Sequence, residues 1–161
     1  MPVSADDFRQ ALGRFASGVT VVTTTDAEKL GGITVSAFCS LSLQPPYVLI
    51  CIDKRSTLIP MLQRSRVFAV NILSDAQAHL SNQFASKSGD KFSGVAYQLG
   101  QLGVPLLEDA LAHVECSVRH EWDGGDHLVF VGEVEATSVH PDGQPLLYYR
   151  GQYGRFEAQN A

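Results

Sequence analysis

Apolar positions along this chain follow two periods, and the change between them divides it. Over residues 4–17, Phe8, Ala11, Leu12 and Phe15 recur at helical spacing and form one face. Ser4, with Asp7 three residues on, predicts a capping box at the start of this helix, and Gly18 a left-handed turn at its end. The aromatic stripe reads as core.

From residue 19 the period shortens. Residues 19–25 are β-branched almost throughout, which suits a strand. A turn follows over 26–32. Residues 33–41 alternate, with Ile33, Val35, Ala37 and Cys39 on one face and Thr34, Ser36, Phe38 and Ser40 on the other. Pro45-Pro46 interrupts. Residues 47–53 are a nearly continuous apolar run, as for a strand buried on both faces. Ser56 opens a short helix that tolerates Pro60 near its first turn. A strand over 67–73 leads to a second capping box, Ser74 with Gln77, and a helix running to about 86. A polar loop (87–94) and an irregular stretch (103–111) precede two long strands, 113–122 and 127–139. Asp123-Gly124-Gly125-Asp126 joins them as a hairpin. After a turn at Pro141-Asp142-Gly143, residues 146–156 predict a last strand. Strands do not alternate regularly with helices, which disfavours a doubly wound parallel sheet. The pattern predicts a mainly β fold, a closed or nearly closed antiparallel barrel with peripheral α-helices.

Length and charge narrow the class. The 161 residues suffice for one domain spanning 1–161, and are too few for two ordinary ones. A net charge of −5 without a Lys/Arg run gives no electrostatic case for nucleic acid or an anionic membrane. Residues 1–7 are polar, and no apolar run reaches the length of a membrane span, so a cytoplasmic location is expected. Cys39, Cys51 and Cys116 stand apart in apolar stretches and read as reduced core thiols.

The standard phosphate loops, the nucleophile elbow and zinc-ligand pairings are all missing from the sequence. His113 and His120 fall on opposite faces of a regular strand, which argues against their sharing a site. Three polar clusters lie beside apolar strands. The first is Thr34 to Phe38, whose hydroxyls either face solvent or meet a polar ring edge. The second is Asp53-Lys54-Arg55-Ser56-Thr57 before a helix. It is either an ordinary cap or a phosphate site built from unpaired N–H groups, hydroxyls and cations. The third is Asp126-His127 at the hairpin, with Tyr153 on the last strand; a histidine at a barrel rim orients an amide or moves a proton.

Taken in order, several segments resemble the flavin reductase-like family, the small reductases of two-component flavin monooxygenases of the phenol and 4-hydroxyphenylacetate hydroxylase type. They are FRQALGRFASGVTVVT (8–23), GITVSAF (32–38), SLSLQPP (40–46), FAVNILS (68–74), GDH (125–127), VGEV (131–134) and PLLYY (145–149). The resemblance implies a split β-barrel, usually a homodimer, which binds FMN or FAD at the subunit interface and oxidises NADH or NADPH. It implies that Thr34, Val35, Ser36 and Ala37 line the isoalloxazine ring, and that Cys51, Ile52 and Asp53 follow its edge. Ser56 and Thr57 would meet the phosphate, and Phe84, Ala85, Lys91 and Phe92 would form a lid or phosphate contact. His127, as the catalytic-site residue positioning nicotinamide, and Tyr153 would lie near that ring. It further implies an oxygenase partner that takes reduced flavin. Many relatives carry His-Gly-Met-Thr where this chain has Gly31-Gly32-Ile33-Thr34. A reductase of another acceptor, such as a corrinoid or metal complex, and a non-enzymatic flavin-binding module are the alternatives.

Overall fold

The structure is a computed structural model that describes residues 2–87 and 89–160. Helix α1 (Ala5–Leu12) begins as the sequence predicts, the Ser4 hydroxyl accepting from the Asp7 N–H at 3.1 Å. It ends five residues earlier than the stripe suggests, at a Gly13 cap of helical conformation. Its apolar face is not core: Phe8 and Leu12 are 57% and 53% exposed, and Phe15 just beyond its end is 79% exposed.

After the two-residue strand β1 (Ser17–Gly18), strands β2 (Thr20–Asp26) and β3 (Lys29–Val35) form a tight hairpin. The predicted strand over 33–41 is broken at Ser36 and Ala37, and the chain resumes as β4 (Phe38–Leu43). Then follow β5 (Pro46–Asp53), α2 (Leu58–Ser65), β6 (Val67–Ile72), a 3₁₀ turn at Asp75–Gln77 and α3 (Ala78–Ala85). The capping box of Ser74 and Gln77 is present, on the 3₁₀ turn. The stretch read as irregular carries β8 (Pro105–Leu107), which pairs with β7 (Tyr97–Leu99). The long strands are β9 (Ala112–Gly124) and β10 (His127–Val139). The last predicted strand is a hairpin, β11 (Leu146–Tyr149) and β12 (Gln152–Arg155), turning at Arg150 and Gly151, both with positive φ.

Seven strands form one antiparallel sheet in the order β3-β2-β6-β9-β10-β5-β4. Its two edge strands, β3 and β4, are consecutive in sequence and only two residues apart. So short a link forces the sheet to curl until its edges meet, yet no ladder joins them. The barrel is therefore split along the line where Ser36 and Ala37 cross.

Two cores explain the strand patterns. Inside the barrel, Val22, Ile50, Phe68, Val70 and Phe130 pack under Leu58, Ile59 and Leu62 of α2. Outside β2, Val19 and Val21 pack with Leu73, Leu80, Phe84, Leu107 and Leu146 beneath α3 and β11. β2 thus feeds both cores, which accounts for its unbroken β-branched run. β5 feeds one. Val48, Ile50 and Ile52 are buried, whereas Tyr47, Leu49, Cys51 and Asp53 are half-buried, so the run read as buried on both faces has an open side. The cysteines divide accordingly: Cys116 is buried, Cys51 half-buried and Cys39 exposed.

Asn71, fully buried on β6, ties the outer layer down. Its amide donates to Val21 O and Thr23 Oγ1, and its carbonyl accepts from Leu107 N at 2.8 Å. A bulge leaves Arg119 without a register partner on β10. It reverses the alternation, so His113 and His120 both point outward. They remain apart: His113 bonds Ser138 and Leu107 O, and His120 stacks on Trp122.

Candidate functional site

The split is also a cleft. Ile33, Thr34, Val35, Ser36 and Ala37 form one wall, Cys51, Ile52 and Asp53 the other, and His127 stands at its mouth, around about 180 Å³. Opposite strands bring these residues together because Asp53 is the register partner of His127. Past Ile33 and Asp53 lies a cavity of about 380 Å³, lined by Arg55, Ser56, Thr57, Ala85, Ser86, Lys87 and Lys91. A third hollow of about 220 Å³ shares Ser56, Thr57, Lys87 and Lys91 and adds Gly31, Gly32, Met61 and Phe92. A slot lined by small apolar and hydroxyl side chains thus passes into a chamber that adds cations.

The polar chamber is prepared at the start of α2. The Ser56 hydroxyl accepts from Leu58 N at 3.1 Å, which leaves its own proton for a ligand. Thr57 caps the helix without a side-chain cap bond. Lys91 donates to Gly32 O at 3.2 Å and to Phe84 O at 3.0 Å, and burial pushes its pKa down. This ammonium holds the loop against β3. Lys87, absent from the sequence expectation although it sits in the same polar loop, makes no ion pair or hydrogen bond among the described residues.

Asp53 is committed. Its carboxylate accepts from Arg55 N at 2.8 Å, Nε at 3.1 Å and Nη2 at 2.7 Å, and Arg55 holds it far below the usual carboxylate range. At the mouth, His127 Nδ1 lies 2.7 Å from Asp126 Oδ1. Two candidates lie off the cleft lining. The Phe84 side chain is fully buried in the outer core, edge-on to Phe92, so only its carbonyl serves the site. The Tyr153 hydroxyl donates to Asn82 Oδ1 at 3.0 Å and bonds Ser81 Oγ at 2.7 Å, on α3.

The departure at Gly31-Gly32 has a local basis. A Cβ on Gly31 would lie 2.6 Å from Met61 Sδ, so the methionine stands where a side chain at 31 would begin. The set fits a flat ring carrying a phosphate-bearing arm. The walls mix small apolar and hydroxyl side chains with backbone, and hydroxyls and cations lie at the far end.

Comparison with known proteins shows the family. Residues 12–157 match the family described as flavin reductase like domain. The reductase subunit of a flavin-dependent monooxygenase from Rhodococcus jostii is 42% identical over 150 residues, 93% of this chain and 77% of that protein. A flavin reductase from Pseudomonas putida is 41% identical, over 94% of this chain and 89% of its own. Among solved structures, an NADH:FAD oxidoreductase from Streptomyces globisporus, in complex with NAD and FAD fragments, superposes with a TM-score of 0.91. It is 37% identical, with 98% of this chain and 97% of that one covered. A homologue of nitrilotriacetate monooxygenase component B from Mycobacterium thermoresistibile gives a TM-score of 0.93 at 40% identity, with 97% and 90% covered. The fold and site define a split-barrel flavoprotein oxidoreductase. The chain belongs to the flavin reductase-like family.

Proposed function

We propose that this chain transfers a hydride from NADH or NADPH to FMN or FAD and passes the reduced flavin to a partner monooxygenase. The observation that carries this reading is the continuity of the split: a narrow slot with His127 at one end and Ser56, Thr57 and Lys87 at the other. Bound there, a flavin supplies the electron-accepting ring. The protein's part is position. Residues 34–37 and 51–53 hold the ring between two sheet edges, so a nicotinamide at the open face meets it at near-attack distance. Ser56, Thr57 and Lys87 anchor the phosphate. No side chain is required to move a proton.

His127 supplies orientation. A carboxylate only accepts, so the bond to Asp126 places the proton on Nδ1 and leaves Nε2 of the neutral ring as an acceptor. That atom suits the carboxamide N–H of nicotinamide.

The exposed stripe on α1 supports a homodimer. Among the described residues no helix is long and apolar enough to cross a membrane. The deciding experiment follows loss of reduced nicotinamide with FMN, FAD or no flavin added. Oxidation that needs added flavin supports the reading. No oxidation of NADH or NADPH with either flavin, by folded protein, overturns it.

A further inference from the structure

The register of the sheet's outermost strands brings two thiols together. Cys39 on β4 is the partner of Leu49 on β5, and Cys51 follows Leu49 by two positions. Side chains alternate, so Cys39, Leu49 and Cys51 share one face, while Phe38 and Ile50 turn to the barrel core. Cys39 is exposed. Cys51 is half-buried and lines the ring cleft. Burial pushes the Cys51 thiol up, and the nearby Cys39 pushes it further. The exposed thiol is the one an oxidant in solution reaches first, and the shielded one lies diagonally beside it.

We propose that Cys39 and Cys51 are a peroxide-sensitive dithiol, and that their disulfide closes the ring cleft. The inference rests on the reductase reading for its oxidant. Reduced flavin that meets dioxygen before reaching an acceptor returns to oxidised flavin and yields hydrogen peroxide. The Cys39 thiolate attacks the peroxide: an S–O bond forms, the O–O bond breaks and water leaves. Cys51 then attacks the Cys39 sulfur: the S–S bond forms, the S–O bond breaks and a second water leaves. Two thiols and one hydrogen peroxide become one disulfide and two waters.

The geometry makes this a switch rather than a resting bridge. Diagonal neighbours on adjacent strands stand roughly 7–8 Å apart. A disulfide holds its Cα atoms at roughly 4.4–6.8 Å. One strand must move, and β4 is placed to do so. It is the edge of the sheet, it carries an irregularity between Ser40 and Ser42, and it is tethered to β3 by Ser36 and Ala37. Those two residues form a cleft wall, and Ala37 O accepts from Cys51 N at 3.0 Å. Drawing Cys39 toward Cys51 carries that wall with it.

The test uses flavin-free protein exposed to graded hydrogen peroxide, alkylated and digested for mass spectrometry. Flavin affinity is measured in parallel by fluorescence titration. The expected result is a Cys39–Cys51 linked peptide, lighter by two hydrogens, with affinity falling about tenfold and returning with dithiothreitol. Cys39→Ser should keep the untreated affinity and resist peroxide, while Cys116→Ser should remain sensitive. Cys39 overoxidised without a bridge, a link between two copies, or Cys39→Ser losing affinity at the wild-type rate would each overturn the proposal. The bridge is read without turnover, so the two readings fail separately. A bridged protein that never oxidises NADH overturns the reductase reading, and an active reductase that never bridges overturns the dithiol alone.

Discussion

Thr34 Oγ1 donates to the backbone carbonyl of Ser81 at 2.6 Å, fastening one wall of the ring cleft to α3. The tie continues. The Tyr153 hydroxyl gives its proton to Asn82, so the Ser81 hydroxyl donates to Tyr153, and β3, α3 and β12 are joined in one chain of bonds. The Thr34 proton therefore serves the scaffold rather than a ring edge. Thr34→Val should cost about 0.5–1.5 kcal/mol. That lowers the melting temperature by a few degrees in a domain of this size. Thr34→Ser should restore it. Turnover at saturating flavin should change little in either variant, and steady-state kinetics beside thermal melts will separate the two effects.

Gly31 and Gly32 are adjacent and look alike in sequence, but their surroundings differ. A Cβ at Gly32 would lie 2.7 and 2.8 Å from the Phe84 ring, which is locked in the outer core. At Gly31 it would meet the Met61 thioether and the Leu58 Cδ1, both ends of flexible side chains. Gly32→Ala should destabilise by roughly 1–3 kcal/mol, the usual cost of overpacking a core. Gly31→Ala should cost clearly less, and its cost should shrink further when measured against a Met61→Ala background. Chemical denaturation of these variants tests the order.

Much of this fold was legible because its strands obey simple periods, as in the β9–β10 hairpin, the Ser74 box and β2. The failures have physical causes. Alternation over 33–39 continues through the bend at Ser36 and Ala37, so periodicity carried no sign of the break on which the split depends. The turn at Arg150 was hidden because a non-glycine residue holds φ at 52°. The α1 stripe reported amphipathicity but not what covers it. For the site, residues 34–37 and 51–53 were readable through the family resemblance. Lys87 needed the path of the loop after α3, and the closeness of Cys39 to Cys51 needed the register of β4 on β5.

The exposed apolar stripe along α1 and Phe15 is the surface on which the proposed homodimer can be tested. Leu12→Asp places a charge in the middle of that stripe while leaving the barrel core untouched. Light scattering should give twice the 17.4 kDa chain mass for the wild type and the chain mass for the variant. Flavin affinity should fall with it if the site lies at the subunit interface. A monomeric wild type with full flavin affinity would remove the homodimer from the reading.

Asp53 sets a pH expectation. Its folded pKa lies far below the ordinary 3.8, because Arg55 donates three hydrogen bonds to it. A depressed carboxylate contributes fully above its unfolded pKa and loses that contribution only as pH falls through the folded value. Flavin affinity should therefore show no step from Asp53 above about pH 4. Asp53→Asn removes the charge and weakens the hold on Arg55, so it should alter flavin KM several-fold without adding an acid limb. A titration between pH 4 and 6 that is present in wild type and absent in Asp53→Asn would contradict the assignment.

His127 provides the sharpest test of how the nicotinamide is held. Its side chain is 40% exposed at the cleft mouth, and its Nδ1–H is spent on Asp126, itself 91% exposed. If Nε2 accepts one hydrogen bond from the carboxamide, His127→Ala removes roughly 1–1.5 kcal/mol, about a tenfold rise in KM for reduced nicotinamide. Flavin affinity should move much less, since the ring is held by backbone on both walls. Asp126→Ala loosens only the orientation of the imidazole, so its effect should be smaller and in the same parameter. Equal rises in flavin and nicotinamide KM would instead mean that His127 braces the turn between β9 and β10. Unchanged kinetics in His127→Ala would take it out of the site.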